Sequence, residues 1–275
     1  VKLSVAIVCR NNAATIGRVL DSASGVIATL RTAGHQGEIV AVDSGSTDAT
    51  LEMLAAHGAR VVRTEWKGHI ATKQMALEAC SGEWIIHLDS DESLEPACAA
   101  ALARFVLEPG RARGARVNRK VWYMGAWLTH VWQPEWRLRV VRGEDVRSGH
   151  ARWGGFDPHD KLELVSAEAD VVGLAGDVRH ESFVNIADHL AKQVAHSRTA
   201  AQSLHARGQR GSYRRLLISP MGAFAKQLVF RSGWRDGWRG WAASASAGVG
   251  AAMKHAILIE LSGKAREAIN GPTRG

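Results

Sequence analysis

Asp89 and Asp91, separated by Ser90 in the run HLDSDES, place two carboxylates within reach of one hard cation and leave coordination positions for the oxygens of a diphosphate. That is the chemistry of a Mg²⁺ or Mn²⁺ clamp, with Asp91 and Asp89 as ligands. The same residues also suit a helix N-terminus, because Asp91, Ser93 and Glu95 precede Pro96 and acids there satisfy free N–H groups. Asp43 opens a second acidic turn, DSGSTD, where a carboxylate can accept hydrogen bonds from a base or ribose. Asp48 or Thr47 in that turn is expected to cap a helix beginning near Thr50. Between Arg116 and Arg142 stand Trp122, Tyr123, Trp127, Trp132 and Trp136, whose flat faces stack on sugar rings as readily as they fill a core. Glu135 lies among them. A desolvated glutamate has the raised pKa of a general base for a sugar hydroxyl, and the competing role is an ion pair with Arg137 or Arg139.

Such residues need a scaffold, and the first hundred positions alternate strand and helix. Leu3 to Val8 is a continuous apolar run suited to a strand buried on both faces, followed by helix-compatible spacing from Ala13 to Leu30. Strands are predicted again at Glu38 to Val42, Ala59 to Arg63 and Glu83 to Leu88, with helices at Thr50 to His57 and Ala71 to Ala79. The pattern implies an α/β fold with a mostly parallel sheet flanked by helices, in which ligands gather beyond the carboxyl ends of the strands. Both acidic turns fall at such ends.

The chain has 275 residues, 46% of them hydrophobic, enough for one large core with an appendage. Cys9, Cys80 and Cys98 are odd in number and lack paired spacing, so a disulfide framework is not expected and a reducing compartment fits. No secretory signal pattern is read at the N-terminus, where the apolar run after Lys2 ends at Arg10. Charge is unevenly placed: from Arg207 onward twelve Lys or Arg face three Asp or Glu, a balance of +9 within a total of +8, so the remainder carries −1. A basic tail attracts nucleic acid or anionic lipid.

The segments VAIVCRNNAATI, EIVAVDSGSTDAT and WKGHIATKQMALEACSGEWIIHLDSDE, in this order and spacing, resemble glycosyltransferase family 2, inverting enzymes of the GT-A (Rossmann-like) fold. WQPEWRLRVVR, DPHDKLEL, RHESF and GWRDGWRGW resemble more closely the subgroup that adds glucose or a related sugar to the lipopolysaccharide inner core. The resemblance implies a nucleoside-diphosphate sugar donor, UDP-glucose, bound by Asn12, Asp43, Lys73 and Asp89, with Asp91 ligating Mg²⁺ or Mn²⁺ directly. It places Glu135 near a lipid-linked saccharide acceptor, with Asp160 in DPHDK as the second candidate base. Ser44 stands where many members carry a second acid. His159 and His180 are possible metal or phosphate ligands, and neither is assigned to metal.

Beyond His180 the reading is helical, with Ile186, Leu190, Val194, Ala201 and Leu204 on one stripe expected to pack on the catalytic body. The predicted division is a GT-A domain over 1–206 (nucleotide-sugar half about 1–105, acceptor half about 106–183, packing helix about 185–206) and a helical tail over 207–275. The tail interleaves Trp234, Trp238 and Trp241 with arginines, which fits a helix lying in a membrane interface, or an ordinary helical subdomain with a basic face. Its uncharged stretch from Gly240 to Met253 is too short to span a bilayer. A peripheral enzyme on the inner face of the cytoplasmic membrane is therefore expected. A nucleic-acid-binding protein would explain the basic tail, but no binding motif appears and the body is neutral, so no nucleic acid partner is expected. A nucleotidyltransferase would share the paired aspartates, yet its glycine-rich phosphate loop is replaced here by CRNNAAT.

Overall fold

A computed structural model describes residues 1–156, 159–165, 170–183 and 185–270. In chain order the first elements are β1 (Lys2–Cys9), α1 (Ala13–Thr32), β2 (Gln36–Asp43), α2 (Thr50–Ala56), β3 (Arg60–Arg63), α3 (His69–Glu78) and β4 (Trp84–Asp89). There follow β5 (Glu92–Leu94), α4 (Pro96–Leu107), β6 (Gly114–Tyr123), β7 (Ala126–Trp127), β8 (Trp136–Arg142) and α5 (Gly143–Arg147). A ribbon of β9 (Ala151–Phe156) and β10 (His159–Leu164) precedes β11 (Val171–Phe183), and the chain ends in α6 (Ile186–Ala206), α7 (Tyr213–Ala225) and α8 (Gly237–Asn270). A π-helical turn, Lys226–Phe230, and a 3₁₀ turn, Gly233–Asp236, link the last two helices.

The main sheet runs β3-β2-β1-β4-β8-β6-β11-β5. It is mixed, where the alternation predicted a mostly parallel sheet. β3, β2, β1 and β4 are parallel, as helical crossovers require, whereas β8 joins β4 antiparallel and β6 joins β8 antiparallel. The period of two along β1 sorts its side chains. Leu3, Val5 and Ile7 enter a core shared with Ile16, Leu20 and Leu102 of α1 and α4, and Ala6 enters a second one with Val40, Leu77 and Val146.

The chain divides into two compact units: 1–121, 134–155 and 159–181 form the first, and 122–133, 156–158 and 182–275 the second. Helix α6, predicted to pack on the catalytic body, groups instead with the tail: its Ser197 hydroxyl donates to the Gly250 carbonyl of α8 at 3.0 Å. Buried polar groups explain this grouping. His189 accepts or donates at both ring nitrogens, to the Tyr123 hydroxyl at 2.6 Å and the Ser246 hydroxyl at 2.7 Å, so α6 and α8 satisfy each other inside the second unit. The stretch Gly233–Gly263 is, by length and composition, long and apolar enough to cross a membrane, which corrects the shorter uncharged stretch as a measure. In the structure Ser244, Ser246, His255 and Ser262 on that helix are buried within the protein.

Candidate active site

The carboxyl ends of β1 and β2 are stitched together by their loops. Asp43 is buried, and its Oδ1 accepts the Gly45 and Ser46 amides at 3.0 Å, so its carboxylate builds its own turn before it can meet a ligand. Gly45, at φ 90°, supplies the left-handed conformation this turn needs. Asn12 receives the Arg10 amide on its Oδ1 at 2.7 Å and donates its own amide to the Thr50 hydroxyl at 2.8 Å. Asp48 accepts the Ala13 amide at the start of α1 and the Thr50 amide at the start of α2, both at 3.0 Å, and so caps two helices.

From the end of β4 a ladder of alternating charges crosses the first unit. Asp160 meets the Lys73 ammonium at 2.8 Å, Lys73 meets Asp89 at 2.8 Å, and Asp89 meets Arg139 at 2.9 Å. Arg139 then holds Glu92 at 2.6 Å, Arg119 lies 3.4 Å from Glu92 and 2.7 Å from Glu135, and Arg137 closes the row on Glu135 at 2.5 Å. Four acids and four bases balance. Burial alone would raise the Asp89 carboxyl, yet the Lys73 ammonium and Arg139 guanidinium hold it well below the usual carboxylate range. Lys73 is raised in turn: burial lowers it, and Asp89 and Asp160 outweigh that effect.

Two expectations change here. Glu135 does not have the raised pKa of a desolvated base, because Arg119 and Arg137 overcome its burial and pull it down to about 2. Its predicted pairing with Arg137 is present; Arg139 is committed to Asp89 and Glu92 instead. Asp89 carries an ion pair on each oxygen, with Lys73 on Oδ1 and Arg139 on Oδ2, so a metal ion would have to displace a cation to reach it. For the same reason Lys73 is a strut between two carboxylates rather than an open cation.

Asp91 is placed differently. β5 and β11 pair antiparallel with Glu92 opposite His180, and the Glu181 amide donates to the Asp91 carbonyl at 3.0 Å. This register brings His180 Nε2 to 3.4 Å from Asp91 Oδ2. Among the described residues no group of three or more His, Cys, Asp or Glu side chains converges as a metal site. Residues 157 and 158 and the His159 side chain lie outside the described residues.

Sequence reasoning missed Glu92, Arg119, Arg139, His87 and Trp153. Buried His87 is lowered well below its ordinary value by desolvation, and its ring meets Trp153 edge-on at 4.9 Å. Lys73 lies 4.7 Å over the Trp153 ring. Among the described residues His87 Nε2, Arg139 Nε and Trp153 Nε1 are buried without a hydrogen-bond partner. One signal was available: Glu135, Arg137 and Arg139 recur at period two, alternating with Trp136, Leu138 and Val140, which places three charges on one face of a strand. Of the tryptophans, Trp136 is 49% exposed in the first unit, whereas Trp122, Trp127 and Trp132 belong to the second.

The sequence profile described as "Glycosyl transferase family 2" matches residues 4–158. Over 247 residues the chain is 29% identical to the lipopolysaccharide core biosynthesis glycosyltransferase LpsC of Rhizobium meliloti (strain 1021), covering 87% of this chain and 85% of that protein. Its fold is similar to S. aureus TarS 1-349 in complex with UDP, at 13% identity and a TM-score of 0.50, covering 98% of this chain and 92% of that one. The mannosyltransferase PcManGT from Pyrobaculum calidifontis, in complex with GDP-Man and Mn²⁺, matches at 20% identity and a TM-score of 0.49, covering 98% and 81%.

Proposed function

Since the chain belongs to glycosyl transferase family 2, we propose that it transfers glucose from UDP-glucose to a lipid-linked saccharide of the lipopolysaccharide-core type, with inversion at the anomeric carbon. Membership of this family favours glycosyl transfer over nucleotidyl transfer. The observation that carries the finer reading is the buried charge ladder beyond β4, in a chain similar over most of its length to a core glycosyltransferase. A ladder whose members are fixed by one another is preorganised, so it supports charge developing on a leaving group without reorganising.

The donor set fits a divalent cation in part. Asp91 Oδ2 and His180 Nε2, a carboxylate and an imidazole 3.4 Å apart, would be the residues that hold it. When bound, the ion would offset negative charge on the departing nucleoside diphosphate. Asn12 and the Asp43 turn are assigned to the nucleotide side and the Lys73–Asp89 pair to the diphosphate side. The acceptor hydroxyl attacks the anomeric carbon opposite the leaving diphosphate and loses its proton to a carboxylate. We assign that carboxylate to Glu135, with Asp160 as the second candidate; Arg119 and Arg137 keep Glu135 ionised but lower its basicity, so it orients the acceptor hydroxyl and relays the proton onward to solvent.

Glu135→Gln is expected to lower kcat by about 10²-fold with donor affinity little changed, and by more than Asp160→Asn does at similar donor affinity. Initial rates with UDP-glucose and a core-truncated lipopolysaccharide measure both. Near wild-type turnover in the Gln variant would move the role to Asp160. The broader reading is tested by a thermal-shift screen of nucleotide sugars with Mn²⁺, in which the preferred donor raises the melting temperature most. A chain that no nucleotide sugar stabilises would count against the whole proposal.

We also place the enzyme on an anionic membrane surface. Phe230, Trp234, Trp238 and Trp241 are 83%, 58%, 55% and 52% exposed in the basic second unit, and each Lys or Arg close to an anionic leaflet contributes on the order of 1 kcal/mol. Replacing Trp234, Trp238 and Trp241 by serine is expected to release the protein from anionic liposomes in co-sedimentation, while donor binding persists. Undiminished sedimentation would exclude these residues as the anchor. Point substitutions serve better than cutting the tail at Arg207, because α6 packs on α8.

A further inference from the structure

The run GWRDGWRGW has two chemical faces, and only one of them is exposed. Trp234, Trp238 and Trp241 are exposed. The intervening Asp236 and Arg239 turn to the segment Trp122–Gln133 of the same unit. That segment is a hairpin. Trp122 and Tyr123 at the end of β6 pair with Trp127 and Ala126 of β7, across a two-residue turn with Met124 at φ 48° and Gly125 at φ 84°. Both positive values match the type I′ turn whose twist suits such a hairpin.

Asp236 binds the segment through five donors. Its Oδ1 accepts the Thr129 amide at 3.0 Å, the Thr129 hydroxyl at 2.7 Å and the His130 Nδ1 at 2.9 Å. Its Oδ2 accepts the His130 amide at 3.0 Å and the Val131 amide at 2.9 Å. Three successive backbone N–H groups therefore converge on one carboxylate, an anion nest filled by the protein's own side chain. Arg239 donates from Nε at 3.0 Å and Nη2 at 2.8 Å to the Met124 carbonyl, at the tip of the hairpin. Gln227 Oε1 accepts the Trp132 amide at 3.1 Å, and Arg231 donates to the Gln133 carbonyl. Gly233 lets the chains approach, since a Cβ there would stand 2.5 Å from Val131 Cγ2 and 2.6 Å from the Gln227 carbonyl oxygen. A surface salt bridge would need none of this.

The clamped segment holds Trp127 and Trp132 and runs through Pro134 directly into Glu135. We propose that Asp236 and Arg239 are positioning residues for acceptor recognition: they fix the hairpin Trp122–Trp127 and its continuation to Gln133, whose half-buried Trp122 and Trp127, in edge contact at 5.0 Å, receive the acceptor saccharide, from the same run whose tryptophans are exposed. This rests on the glycosyltransferase reading and deepens it, because the tail becomes part of acceptor recognition as well as an anchor. A carboxylate with five donors has no isosteric substitute; an amide in its place turns two hydrogens toward N–H groups that are themselves donors.

The test is initial-rate kinetics of the full-length chain with UDP-glucose and a core-truncated lipopolysaccharide, presented in detergent micelles and in anionic vesicles. Asp236→Asn is expected to raise the acceptor KM by about tenfold or more in both presentations, with the donor KM within about twofold. Arg239→Lys, which keeps one donor to Met124, should show a smaller rise of the same kind. Trp234→Ser, which spares the Trp238 ring under Arg239, should impair transfer on vesicles and leave it near wild type in micelles. Thr129→Val removes only the hydroxyl donor and supplies the acceptor readout if Asp236→Asn does not fold. An unchanged acceptor KM in the folded variants, or equal rises in both KM values, would overturn the positioning role while leaving the glycosyltransferase reading intact. Absence of transfer by the wild-type chain to any such saccharide would overturn both.

Discussion

Arg139→Met is expected to destabilise the protein by roughly 3–5 kcal/mol, the usual cost of leaving a buried charge without its partner. Arg139 bridges Asp89 at 2.9 Å and Glu92 at 2.6 Å, and the Glu92 side chain is 0% exposed. Methionine fills much of the volume but offers no charge, so Asp89 is left with Lys73 at 2.8 Å and Glu92 with Arg119 at the longer 3.4 Å, and their burial is less fully offset. Adding Glu92→Gln to the variant should recover part of the loss, because one stranded charge is removed. Melting temperatures of the wild type, single and double variants measure this; a shift of only a degree or two for Arg139→Met would show that the ladder is not under electrostatic load. The sign of the pH dependence is also set. Glu135 falls from an ordinary 4.5 to about 2 in the folded chain, so its pairing contributes stability above about pH 4.5 that is lost as pH falls toward 2. Asp89, also held low, has the same sign. Because Arg139 holds Asp89 rather than Glu135, the gap between wild type and Arg139→Met should shrink as acidification below the usual carboxylate range protonates Asp89.

Asp91→Asn is expected to lower turnover by at least about 10²-fold with a smaller loss of melting temperature than Asp89→Asn, because its carboxylate is outside the ladder, 3.4 Å from His180. Asp89→Asn should behave differently: it breaks contacts to Lys73 and Arg139 at once, so activity and stability should fall together. Excess EDTA should reproduce the Asp91 effect on the wild type, with activity restored by added Mn²⁺. Full activity in EDTA, or an Asp91 variant that turns over normally, would remove both the metal and its proposed ligand from the reaction. The contrast between the two aspartates is the more informative result, because the motif alone treats them as one pair.

The parallel half of the sheet was legible in the sequence because its signal is local. Short apolar runs such as Leu3 to Val8, bounded by polar turns and rich in Val and Ile, read as strands covered on both faces, and the helices between them follow from spacing. The cap at Asp48 and the positions of Asp43 and Asp89 at strand ends were readable for the same reason. What each carboxylate faces was not. Glu135 has the same neighbours in the chain whether it is a desolvated base or a clamped anion, and only the pairing of β6 with β8 brings Arg119 to it. Asp89 and Asp91 are two residues apart, yet β8 delivers Arg139 to the first and β11 delivers His180 to the second. The GWRDGWRGW run likewise read as one basic aromatic surface until the hairpin at Trp122–Gln133 divided its residues between protein and solvent. The sequence by itself determined the strand ends, the family motifs and the basic tail, because spacing and composition act over a few residues. The cross-strand partners of Asp89, Asp91 and Glu135 were decided by tertiary structure, because electrostatic energy depends on distances between strands that no local pattern records.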